Sequence, residues 1–112
     1  LGENDDSFAR AQPLPFPNDA YISGYVSLVR NIRAVYQAAQ IVLLRGGMFG
    51  GARSEPLRAA WEAAVGQLES GDVRVSHFVF QHWSSNHPRV ADHRAMADEL
   101  IAWLRHQPFA PR

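Results

Sequence analysis

Asp72-Val73-Arg74-Val75-Ser76-His77-Phe78-Val79-Phe80-Gln81-His82-Trp83 can be read in two ways, and each gives a different domain. Val73 and Val75 alternate with Arg74 and Ser76, the period-two pattern of a half-buried strand. Val75, Phe78, Val79 and His82 also stand at steps of three and four, the pattern of a helix face, and Asp72 is a good helix cap. A strand needs a neighbour, because isolated strands and lone hairpins gain too little burial to persist in water. No second strand is evident elsewhere in the chain. The preferred reading is therefore a helix over Asp72–Trp83, with an edge strand, or a strand that pairs between two copies, as the alternative.

The flanking segments are helical. Ser54 caps a helix over Ser54–Ser70, with Glu55 and Pro56 in its first turn, where a carboxylate meets the positive end of the helix dipole and proline loses no needed hydrogen bond. Leu57, Ala60, Trp61, Ala64, Val65 and Leu68 give it one apolar face, and Gly71 stops it. On the other side Ser84, Ser85 and Asn86 form a turn. His87 and Pro88 then open a helix over His87–His106, with Val90, His93, Ala97, Leu100, Ile101 and Leu104 inward.

Upstream, Ile22, Tyr25, Val26, Val29, Ile32, Tyr36, Ala39 and Leu43 recur at helical steps, which predicts one long helix over Asn18–Arg45. At 1.5 Å per residue it would run roughly 39 Å, longer than a small domain needs. Val35, Ile41, Val42 and Leu44 widen its apolar surface beyond one stripe, so its C-terminal part must be covered on more than one side. Gly46 ends it, and Gly46–Gly51 reads as a mobile loop carrying Met48 and Phe49 at its tip. Residues 1–18 read as an extended arm, because Pro13, Pro15 and Pro17 alternate with Leu14 and Phe16. Residues 19–107 form the helical domain, and 108–112, with Pro108 and Pro111, form an extended tail. The expected fold class is thus all-α: a four-helix bundle-like single domain with proline-rich arms at both ends. Trp61, Trp83 and Trp103, one on each of the last three helices, are expected to meet in a common core.

Composition bounds the function. Formal net charge is zero, so the long-range field that would draw the protein to nucleic acid or to an anionic membrane is missing. A nucleic-acid role would need Arg30, Arg33, Arg45 and Arg53 on one face. No uninterrupted apolar run is long enough to span a bilayer. The absence of cysteine removes thiolate catalysis, thiolate metal sites and disulfides. All eleven basic residues are arginine, which forks and stacks where lysine does not. The chain begins Leu1-Gly2 rather than with methionine, as expected of a processed form or an excised domain. A soluble protein, with the cytoplasm as its default setting, is expected.

Two functional readings follow. The first is a non-catalytic protein-binding or self-assembly module, docking a protein partner or a second copy through the surplus apolar residues Ile41 and Leu44 and the Met48–Phe49 tip. It needs no cofactor. The second rests on histidine density: His77, His82, His87 and His93 fall within seventeen residues. Spacing of five does not bring two ligands together on a regular helix, but the turn at Ser84–Asn86 could bring His82, His87 and His93 together around a divalent transition metal, with Asp92 or Asp98 completing the sphere. That would make the chain a metal-binding protein or a metal-dependent hydrolase, although the His-Glu-x-x-His helix of many zinc peptidases is absent. The plain alternative is that His82 and His93 are interior or interface histidines and that His77, His87 and His106 are surface or capping residues.

Overall fold

In the computed structural model, which describes residues 1–111, the helix that starts at Asn18 ends at Val35, and the chain continues as a strand over Ile41–Met48. One side chain braces the break. Arg33 donates from Nη1 to the carbonyls of Tyr36 at 2.8 Å and Ala39 at 2.7 Å, and from Nε to Asp72 at 2.7 Å. It turns the chain out of the helix and ties the turn to a residue far along the sequence. The run Ile41-Val42-Leu43-Leu44 is a parallel strand, not the doubly buried end of a helix: Leu43 is buried, Ile41 and Val42 are half-buried and Leu44 is exposed.

The fold is therefore mixed α/β, which corrects the expected all-α bundle. In order the elements are α1 (Glu3–Ala11), α2 (Asn18–Val35), β1 (Ile41–Met48), α3 (Phe49–Arg53), α4 (Glu55–Gly71), β2 (Val75–Ser84) and α5 (Val90–Leu104). Segment 72–83, expected as a helix, contributes most of β2, and β2 pairs in parallel with β1 from Ile41 opposite Val75 to Met48 opposite Ser84. The two corrections are one: the partner of β2 is β1, whose residues continue the apolar pattern of α2. The connection from β1 to β2 through α3 and α4 is a βαβ unit, the usual way to join parallel strands.

One face of the sheet supplies Leu43, Val75 and the half-buried Ile41 and Val79 to a core with Tyr25, Val26 and Val29 of α2 and Trp61, Ala64, Val65 and Leu68 of α4. The other face receives α5, with Phe78 against Trp103 at 5.3 Å between ring centres. The tryptophans consequently sit in three separate clusters rather than one. Trp61 is in the α2–α4 core, Trp83 lies against Phe49, and Trp103 packs between Phe78 and Phe109.

Two further expectations change. The supposed extended arm begins with helix α1, and only the proline stretch after it is extended; Glu3, Asp5 and Asp6 in the first turn complement the dipole and favour the helix. The supposed mobile glycine loop is ordered: Gly46 and Gly47 lie inside β1 with φ of +111° and +91°, and Phe49–Arg53 forms α3.

Arg33→Lys tests the break directly. A lysine keeps the charge but cannot hold two carbonyls and a carboxylate in one planar fork. With Arg33 and Asp72 each about a quarter solvent-exposed, the expected loss is discounted to about 1–2 kcal/mol of unfolding free energy, read from urea midpoints. A lysine variant as stable as the parent would mean that the fork does not end α2.

Candidate functional site

The two-strand sheet has two edges, and that of β1 carries no blunting residue. Ile41 donates its N–H to the carbonyl of Arg74 at 2.9 Å, so Ile41, Leu43 and Arg45 face β2. Backbone groups alternate along a strand, which turns those of Val42 and Leu44 outward. Among the described residues the sheet has no third strand to receive them. Leu44 is 38% exposed and Val42 half-buried. Proteins usually blunt such an edge with proline, lysine or an outward charge. The strand Ile41–Met48 has no proline, and its one charge is drawn into the fold. Arg45 stacks over Trp61 at 5.1 Å and donates from Nη1 to the Gly51 carbonyl at 2.7 Å, while its Nε is buried without a partner. Burial lowers the Arg45 pKa from its ordinary value.

The C-terminal end of β2 is treated differently. Gly46 alone stands opposite Phe80, Gln81 and His82, so β2 bulges away from β1. The bulge sends two successive N–H groups, of Gln81 and His82, to the carboxylate of Glu99 on α5 at 3.0 and 2.9 Å. His82 also meets Asp92 through Nε2 at 2.7 Å, and the other oxygen of Asp92 accepts the Arg89 N–H at 2.8 Å at the start of α5. That backbone donor first, and His82 second, hold the Asp92 carboxyl below the usual aspartate range. Two carboxylates of α5 therefore clasp the C-terminal end of β2. The glycines opposite make room, since a side chain at Gly46 would press on the Phe80 backbone and one at Gly47 on the sulfur of Met96. Trp83, next to the clasp, is flanked by Phe49 at 6.2 Å and by the Arg53 guanidinium at 5.6 Å.

Of the residues expected to hold a metal, His82 is in the clasp with Asp92, while His87 and His93 are exposed, in the turn after β2 and on α5. Among the described residues no group of three or more histidine, aspartate or glutamate side chains is placed to hold a metal ion. Of those expected to meet a partner, Leu44 and Phe49 are exposed, Met48 is half-buried, and Ile41 packs against the α2–α4 core. Of the arginines considered for nucleic acid, Arg33 pairs with Asp72, Arg45 lies on Trp61 and Arg53 lies on Trp83, while Arg30 is exposed. Sequence reasoning missed Glu99 and the outward groups of Val42. The Gly46-Gly47 pair was the available signal, since consecutive glycines inside a strand mark a bulge or a close backbone approach.

A histidine with its carboxylate can relay a proton or orient a ligand, but here the pair joins β2 to α5. The lowered pKa of Asp92 sets a sign. Its contribution to stability is fully present above the unfolded aspartate pKa, roughly 3.9, and is lost as pH falls through the lower folded value. Asp92→Asn is therefore expected to be less stable than the parent at neutral pH, with the gap closing as pH falls below the usual aspartate range. Thermal unfolding across the acid limb reads it. A gap that stays constant would mean that Asp92 gains nothing from its charge.

No protein-family model, curated protein or solved structure matches this chain. Among the described residues no helix is long and apolar enough to cross a membrane.

Proposed function

We propose that this domain is a self-assembly module, in which two copies join their β1 strands edge to edge. The observation that carries this reading is the contrast between the sheet's edges. That of β2 is interrupted at its C-terminal end, where Glu99 takes the Gln81 and His82 N–H groups, while that of β1 presents Val42 and Leu44 with no blunting residue. In an antiparallel pairing about a twofold axis, Val42 of one copy faces Leu44 of the other. Each exchanges both backbone hydrogen bonds with its counterpart, and the apolar side chains of the pair lie on one face. A sheet of two strands becomes one of four, a far commoner size. The exposed apolar residues Leu28, Ile32 and Val35 of α2, with Tyr36 just after it, add surface that water covers poorly. Pairing through strand edges needs no cofactor and no catalytic residue.

Residue-resolved amide exchange at low and high protein concentration tests the reading. The N–H groups of Leu43 and Arg45 are bonded to β2 and should be protected at both. Those of Val42 and Leu44 should gain protection only as concentration rises. Equal exchange of Val42 and Leu44 at all concentrations would remove the proposal.

A further inference from the structure

Helix α1 is attached in an unusual way. Its large apolar residue, Phe8, is 62% exposed, and Leu1 just before it is 78% exposed, whereas Asp6 is 2% exposed. Apart from the small Ala9, which is buried, the side chains that face the body are charged. Glu3 accepts the Gly51 N–H through Oε1 at 2.7 Å, Asp6 accepts the Ser54 hydroxyl at 2.5 Å and pairs with Arg10 at 2.8 Å, and Arg10 lies over the Phe49 ring at 4.6 Å. The partners outside α1, Gly51, Ser54 and Phe49, belong to one short stretch, from the start of α3 to the cap of α4, directly after β1. The seat is shaped for a carboxylate: a methyl group on Gly50 would collide with Glu3, and one on Gly51 would come within 2.9 Å of its Oε1. Beyond α1 the chain is exposed over 12–15 and is fixed again at Phe16, which is buried against Leu57 and Ala60.

We propose that α1 is a hinged lid, held shut over the C-terminal end of β1 by the Glu3 and Asp6 carboxylates and swinging about the proline stretch before Phe16. Apolar burial ties α2, α4 and the sheet into one cooperative core. The lid has little of it, and segments with few buried apolar contacts open at lower cost than the core they cover. Opening uncovers the Gly51 N–H, the Ser54 hydroxyl and the part of Leu57 that Gly2 passes over. In parallel α/β sheets the C-terminal end of a strand is where ligands approach. The lid therefore controls access to that end, independently of whether the β1 edge pairs.

The test uses the full chain, with hydrogen exchange followed by mass spectrometry, and tryptic cleavage after Arg10 as a second readout. In the parent, amides of α1 should exchange about a hundredfold faster than those of α4. Glu3→Gln, Asp6→Asn and Gly50→Ala should each speed exchange of α1, and cleavage after Arg10, by about tenfold or more while α4 and β2 keep the parent's protection. Gly50→Ala is the sharpest of these, because alanine favours the helical backbone of α3 and acts only by filling the seat. Equal protection of α1 and α4 in the parent would overturn the lid. So would variants in which α1 is unchanged, or in which α4 loses protection by the same factor as α1.

Discussion

Trp61→Ala is expected to lower the unfolding free energy by about 3–5 kcal/mol, the cost of removing a large ring from a closed core. Trp61 is 2% exposed and sits where four elements meet. From α4 its ring carries the Arg45 guanidinium of β1, meets the edge of His77 on β2 at 5.6 Å, and donates from Nε1 to the Tyr25 hydroxyl of α2 at 3.2 Å. Few neighbours can collapse into the space, and the Tyr25 hydroxyl would be left buried without its donor. Burial already pushes the Tyr25 pKa up, and the Trp61 donor partly offsets that. A domain of this size has roughly 5–15 kcal/mol in total, so the variant should be close to marginal. Tyr25→Phe separates the hydrogen bond from the packing and should cost only about 1 kcal/mol. Urea unfolding followed by circular dichroism reads both. A loss below about 1 kcal/mol for Trp61→Ala would mean that the helices and the sheet do not share this core.

The residues explain which parts of the fold were legible. Helix α4 was, because Ser54 caps it through its own hydroxyl, Pro56 sits in the first turn, and the apolar face runs unbroken from Leu57 to Leu68. The start of α2 was legible from periodicity, and so was the presence of α5, but not its inward face: Val90, His93, Ala97 and Ile101 are exposed, and Met96 is the buried residue. Strand β1 was not. Tyr36, Gln37, Ala38, Ala39 and Gln40 include no glycine or proline, and Leu43 falls in phase with the stripe of α2, so nothing local marks the break. Arg33, which braces the break through the Tyr36 and Ala39 carbonyls, is itself held by Asp72, a contact across the βαβ unit that no window of sequence contains. Losing β1 then removed the partner of β2 and tipped an ambiguous stretch toward helix. The proline alternation at Pro13, Pro15 and Pro17 likewise masked α1, whose acidic first turn was a helix signal in its own right.

The site was legible in a similarly partial way. Histidine density drew attention to the end of β2, yet the partners of His82 are set by a bulge opposite Gly46, and spacing rules for metal ligands do not anticipate a bulge. Leu44 was singled out as surplus apolar surface on a helix. It is surplus because it lies on an open strand edge.

Leu44→Pro is expected to weaken association by roughly a hundredfold and to leave the fold nearly intact. The Leu44 N–H points away from β2, so proline there removes no bond of the β1–β2 ladder, and edge strands are where proline is tolerated. In the paired form it removes one donor from each copy and places a ring against the facing strand. Two lost hydrogen bonds at about 0.5–1.5 kcal/mol each correspond to that change in affinity. Leu43→Pro is the contrast, since the Leu43 N–H faces β2 and its loss should destabilise the monomer itself. If Leu44→Pro unfolds the domain as Leu43→Pro does, the inward and outward assignment along β1 is wrong.

The most direct measurement is the mass of the unmodified chain in solution, by sedimentation or light scattering, from low micromolar to millimolar concentration. Pairing through β1 requires the mass to rise from 12.5 kDa toward twice that value, and Leu44→Pro to hold it at the lower one. A mass that stays at 12.5 kDa across the whole range would contradict self-assembly through this edge.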